Sequence, residues 1–134
     1  MPPYFVQTYT NFRLCNNYLP VEKGSWLGIS RNERICNLCN TNSIGDEYHY
    51  LFQCNFFNNE RKHFLPTISS SRNANAFTLR FIMCETNETK LFKLCRFLKI
   101  VLNKVRYRVC LTITYLFVFL FCSCFTQPGS ILVC

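Results

Sequence analysis

Residues 36–54 read CNLCNTNSIGDEYHYLFQC, and the spacing within this stretch decides how the chain is organised. Cys36 and Cys39 are separated by two residues, His49 follows after nine more, and Cys54 after a further four, a C-x2-C-x9-H-x4-C pattern. Two thiolates so spaced grip one ion from a tight turn, and an imidazole with a third thiolate completes a tetrahedral set. Three sulfurs and one nitrogen select zinc over magnesium or calcium. Four protein ligands leave no open position, so the expected Zn2+ is structural. Between the ligand pairs, Asn40-Thr41-Asn42-Ser43-Ile44-Gly45 supplies turn chemistry. Asp46 is placed to cap a helix with Glu47 in its first turn, His49 just inside and Cys54 just past its end. His63 is a rival fourth ligand, but lies beyond another helical segment.

On the N-terminal side, residues 4–19 read as a short helix or extended arm with Phe5, Tyr9, Phe12, Leu14 and Leu19 as its apolar positions, stopped by Pro20. Residues 20–35 read as a polar connection in which Trp26, the sole tryptophan, is a packing plug or, as the minority reading, a surface for stacking on a base. On the C-terminal side, residues 55–65 alternate aromatic and charged side chains up to Pro66, and residues 69–73 form a linker. A short helix is expected over 74–84, with Phe77, Phe81 and Ile82 on its apolar side. After Asn87, apolar residues recur at Leu91, Leu94, Cys95, Leu98, Val101, Leu102 and Val105, the 3.6-residue period of a helix. Lys90, Lys93, Arg96, Lys99 and Lys104 fall largely on its other side. The expected fold class is therefore mainly α: a small zinc-knuckle-like CCHC module followed by helices, ending in a long helix that is first basic and then apolar. Its segments are an approach helix and connection at 1–35, the module at 36–65, a helical segment at 66–108, an apolar helix at 109–125 and a tail at 126–134.

With 134 residues the chain suffices for one small domain, and 49% apolar residues can sustain a core. Its seven acids include a single aspartate, Asp46, and only Asp46 and Glu47 adjoin, which argues against two-metal phosphoryl chemistry or a glycosidase pair. The four glycines build no phosphate-cradling loop, so the expected protein is not an enzyme and has no small-molecule substrate. Charge is unevenly placed: residues 1–60 carry a net −1, residues 61–108 a net +9, and the last 26 none. The basic block predicts an anionic partner, through phosphate contacts to RNA or DNA that fix position without reading sequence. Lys62, Arg72, Arg80, Lys90, Lys93, Arg96, Lys99 and Lys104 are the residues expected to make them. Tyr48, Tyr50, Phe56 and Phe57 either stack on unpaired bases or join the core. Ten cysteines, three of them grouped with His49 at metal-ligand spacing and four more in the uncharged tail, together with no visible signal peptide, point to a reducing intracellular compartment, nuclear or cytoplasmic.

The residues flanking the ligands carry a resemblance. Arg34-Ile35-Cys36-Asn37-Leu38-Cys39, then residues 45–54 (GDEYHYLFQC), then Phe56-Phe57 and Arg61, resemble the zinc-binding module that follows the polymerase in non-LTR retrotransposon reverse transcriptases. Upstream, Phe12-Arg13-Leu14, the stretch Leu19–Trp26 with its Glu22-Lys23-Gly24 turn, and the run Ile29–Arg34 are similar to the approach segment of the same proteins. The resemblance covers roughly residues 7–107 and implies Cys36, Cys39, His49 and Cys54 as zinc ligands and a role in holding template RNA or target DNA. The chain has no adjacent aspartates of a polymerase palm, so the resemblance implies a C-terminal fragment that binds and does not polymerise. Ser30 stands where the family pattern has proline, and the apolar end after Arg108 has no counterpart there.

That apolar end supports a rival reading. Residues 109–125 (VCLTITYLFVFLFCSCF), from Val109 through Phe117 to Phe125, are uncharged, and ten of them are Val, Leu, Ile or Phe. These offer about −3 to −6 kcal/mol for membrane insertion. As a helix they span about 25 Å, short of a hydrocarbon core of roughly 30 Å. Basic residues just before them would keep the N-terminal part cytosolic, giving a single-pass tail-anchored protein with a cytosolic zinc module.

Overall fold

Pro20, read from sequence as a stop, instead opens a helix: its missing N–H is no loss in a first turn, and its fixed φ suits one. A computed structural model of the chain describes residues 2–69 and 75–124, with side chains at 2–67 and 75–108. The elements are α1 (Pro3–Arg13), α2 (Pro20–Trp26), a 3-10 turn (Arg31–Glu33), a π-helical turn (His49–Gln53), a 3-10 turn (Asn55–Phe57), α3 (Asn58–Phe64), α4 (Pro66–Ser69), α5 (Ala76–Ile82) and α6 (Glu88–Cys124). The fold is mainly α, and among the described residues the only extended pairing is one antiparallel bridge between Ile35 and Ile44. The polar connection expected at 20–35 is thus largely helical. Pro66 likewise begins α4 in place of merely ending the segment before it.

The 37-residue α6 is the axis of the fold. Asn87 caps it, its side-chain oxygen accepting the Lys90 amide N–H at 3.1 Å. The expected period holds: Leu94, Cys95, Leu98, Val101 and Val105 are buried, joined by Phe97. Each such large side chain contributes on the order of 1.5–3 kcal/mol when fully buried. Helix α1 packs along α6. Phe5 meets Phe92 edge-on at 5.0 Å, and Phe12 joins the shared core. The Tyr9 hydroxyl donates to the Met83 carbonyl at 2.6 Å, tying α1 to the residue after α5. Tyr50 and Phe57 meet at 6.2 Å and Phe57 and Phe97 at 6.2 Å, an aromatic path from the cysteine-bearing segment to α6.

Three expectations about apolar side chains are corrected. Trp26 is no plug: it is 57% exposed, with its ring edge-on to Tyr18 at 6.2 Å. Phe77 and Phe81 are 82% and 75% exposed, because α5 presents only Ile82 to the core as a fully buried residue. Leu14 lies beyond the end of α1 and is exposed. Among the described residues no helix is long and apolar enough to cross a membrane. The transmembrane candidate is described in its backbone alone, helical through Val109 and Phe117 to Cys124; its side chains and Phe125 lie outside the described residues.

Candidate metal centre

Two pieces of backbone bring the four ligands together. The first is a knuckle. Across the Ile35–Ile44 bridge, Cys36 N–H donates to Ser43 at 2.8 Å and Gly45 N–H to Arg34 at 2.8 Å, so the chain doubles back and Cys36 and Cys39 sit in the loop. Within it the Leu38 amide N–H donates to Cys36 Sγ at 3.5 Å, and Asn42 takes a left-handed conformation with φ 52°. The second is the π turn. Cys54 N–H donates to His49 O at 2.7 Å, a five-residue closure linking the two remaining ligands. An α-helical turn would set residues five apart about 140° around the axis. The wider turn is the device that lets His49 and Cys54 serve one site.

The ligand atoms Cys36 Sγ, Cys39 Sγ, a His49 ring nitrogen and Cys54 Sγ all lie within 4.8 Å of one another. Cys36 Sγ and Cys54 Sγ are 3.9 Å apart, and Cys39 Sγ and His49 Nε2 3.3 Å. A zinc tetrahedron with its usual bond lengths has sulfur–sulfur edges of about 3.8 Å and sulfur–nitrogen edges of about 3.6 Å. The residues present therefore fit the ion. Cys36, Cys54 and His49 are buried and Cys39 half-buried, which makes the site closed. His63 is exposed on α3, packs edge-on to Phe64 and takes no part. A second grouping, exposed Cys15 with Glu22 and Glu47, mixes one soft donor with two hard ones and matches no ion's preference.

The cluster's electrostatics favour a thiolate. A hydrogen bond from Cys54 pulls the Cys36 pKa down against burial, and the same contact pushes Cys54 up. Burial lowers the pKa of His49, but Cys36 and Cys39 beside it outweigh burial and raise it. Tyr50 is raised chiefly by burial, then by the cysteines, Cys36 foremost. Two buried atoms here, His49 Nδ1 and the Tyr50 hydroxyl oxygen, make no well-formed hydrogen bond, and the hydroxyl has the Cys36 sulfur as its polar neighbour.

Residues outside the ligand set hold these pieces in place. Asp46 caps the turn as expected, its Oδ1 accepting the His49 amide N–H at 2.9 Å, while Oδ2 lies 3.5 Å from Arg31. Gly45 is glycine because the Pro20 ring presses on it: an added Cβ would meet Pro20 Cγ at 2.7 Å. A Cβ on Gly24 would similarly collide with the Arg34 stem at 2.6 Å; Arg34 donates to the Val21 carbonyl at 3.0 Å and the Ile29 carbonyl at 2.9 Å. Sequence reasoning had no role for Arg61 beyond the resemblance. It is buried, donating to the carbonyls of Leu51 at 2.7 Å, Cys54 at 2.9 Å and Tyr50 at 3.3 Å and to the Asn58 side chain at 2.8 Å. These are turn-end acceptors with few backbone donors available. Arg61 stands beside Lys62 at the head of the basic block, and nothing local in the sequence separates it from the other cations.

The residues expected to contact phosphates differ in their surroundings. Lys62, Arg80, Lys93 and Lys104 are exposed and meet no carboxylate among the described residues. Lys90 pairs with Glu85 at 3.9 Å. Arg96 lies over the rings of Phe64 and Phe92 at 5.4 and 5.9 Å, and Lys99 over Tyr4 at 4.2 Å. Arg72 is outside the described residues. Of the aromatics offered for stacking, Tyr50 and Phe57 are wholly buried and belong to the core, Tyr48 packs on Phe52 at 5.0 Å, and Phe56 stays exposed. No protein-family model, curated protein or solved structure matches the chain.

Proposed function

We propose that this chain is a zinc-organised nucleic-acid-binding module, similar to the one that follows the polymerase in non-LTR retrotransposon reverse transcriptases, and without catalytic activity of its own. The observation that carries the reading is the convergence of three sulfurs and one imidazole within 4.8 Å, on a stretch whose flanking residues carry the resemblance. Three soft donors favour zinc, and the six described cysteines are free thiols, as a reducing intracellular setting requires. The net +9 over residues 61–108 supports an anionic partner, RNA or DNA, held through its phosphates.

Bound zinc would contribute on the order of 10–16 kcal/mol to ordering residues 36–54, because no such site exists in the unfolded chain. Elemental analysis of the purified full chain tests the reading: one zinc per chain is expected, and its loss in His49→Ala and in Cys39→Ser. Wild-type protein that carries next to no zinc, and takes up none when it is added, refutes the assignment.

A further inference from the structure

Away from the cysteines, α1, the loop after it and the middle of α6 enclose a groove of about 320 Å³. Its walls carry Tyr4, Tyr18, Lys99 and Arg106, with the carboxamides of Asn11 and Asn103 between them, and no carboxylate lines it. Lys99 and Arg106 are seven residues apart and so share one face of α6, about 10.5 Å apart along its axis. Each is held over an aromatic ring, Lys99 Nζ 4.2 Å from the Tyr4 centroid and the Arg106 guanidinium 5.4 Å from that of Tyr18. Neither meets a carboxylate among the described residues. Two long cationic side chains are thus already positioned, and less of their freedom is left to lose on binding an anion. The rings beneath them stay about half open, Tyr4 at 47% and Tyr18 at 52% exposure.

We infer that this groove seats a segment of single-stranded nucleic acid. Lys99 and Arg106 take two phosphates, the open tyrosine surface takes an unpaired base, and Asn11 and Asn103 offer paired donors and acceptors to base edges. A duplex keeps its base faces stacked inside and has nothing to lay against the tyrosines, so the groove selects unpaired strands. The inference rests on the nucleic-acid reading above and assigns its contacts to one place, away from the cations on α3 and α5.

The test uses the full chain, a fluorescein-labelled oligouridylate, a hairpin duplex, and anisotropy across a salt series. Lys99→Gln/Arg106→Gln is expected to weaken single-strand binding about tenfold and to flatten the slope of log affinity against log salt by about 1.4, roughly 0.7 for each lost phosphate. Arg13→Gln/Lys23→Gln, which removes equal charge outside both the groove and the basic block, should stay within about twofold of the parent. Asn103→Asp puts a negative charge in the groove on an exposed residue and should also weaken binding, so the inference stays testable if the first pair misfolds. Equal losses for the two pairs, or a duplex bound as tightly as the single strand, overturn the groove and leave the nucleic-acid reading standing. Wild-type chain that binds neither probe overturns both.

Discussion

Replacing Arg61 with methionine keeps much of the volume of a buried side chain and removes its donors. Three backbone carbonyls, Leu51 at 2.7 Å, Cys54 at 2.9 Å and Tyr50 at 3.3 Å, then lose a charged partner inside the core. Hydrogen bonds to a charged group contribute about 1.5–3 kcal/mol each, so the gross loss for three is about 4.5–9 kcal/mol. Against this stands the relief of no longer burying a guanidinium, several kcal/mol. The net expectation is a destabilisation of about 3 kcal/mol, a large share of the roughly 5–15 kcal/mol available to a domain. Because the freed carbonyls belong to the turn that carries His49 and Cys54, zinc retention should fall as well. Urea unfolding followed by circular dichroism, with and without added zinc, measures the first effect, and competition against a chelator measures the second. Arg61→Lys should be nearly as damaging, since one ammonium cannot reproduce the planar fork that spans several acceptors. If Arg61→Met unfolds within about 0.5 kcal/mol of the parent, the guanidinium is not what holds the turn, and the account of the site's support is wrong.

Gly45→Ala drives a methyl group to 2.7 Å from the Pro20 ring and should cost about 1–3 kcal/mol in a thermal melt. Tyr50→Phe removes the hydroxyl that sits against the Cys36 sulfur and helps hold that thiol below its ordinary pKa, so competition against a chelator should show zinc held less tightly; unchanged retention would show that the hydroxyl does not support the thiolate. Zinc binding requires three thiolates and a neutral imidazole, so protons compete with the ion, and equilibrium dialysis should show affinity falling as the pH drops from about 7 toward about 5. An affinity that does not change over that interval would exclude thiolate ligation.

Much of the site was legible because its signals are local. The pairing of Cys36 with Cys39, the capping role of Asp46 and the burial of Leu94, Leu98, Val101 and Val105 follow from spacing, turn chemistry and period. The errors share a cause as well. Phe77 and Phe81 repeat at helical spacing, but α5 is a seven-residue helix that offers the core little beyond Ile82, so periodicity alone overestimates its buried face. Pro20 and Pro66 look like terminators in the sequence, although proline serves equally at a helix start, and its role is set by where the next residues of the chain can pack.

The order of residues by itself determined the donor set, the helical character and the sign of the charge, since each depends on side-chain chemistry and near-neighbour spacing. Only the folded arrangement decided that the segment before Cys54 widens into a π turn, that Arg61 closes it, and that Lys99 and Arg106 end up over tyrosines from another part of the chain. Those outcomes depend on which distant surfaces meet. A carbonyl left over at a turn acquires its partner, and a cation its ring, only once α1, α3 and α6 have packed together.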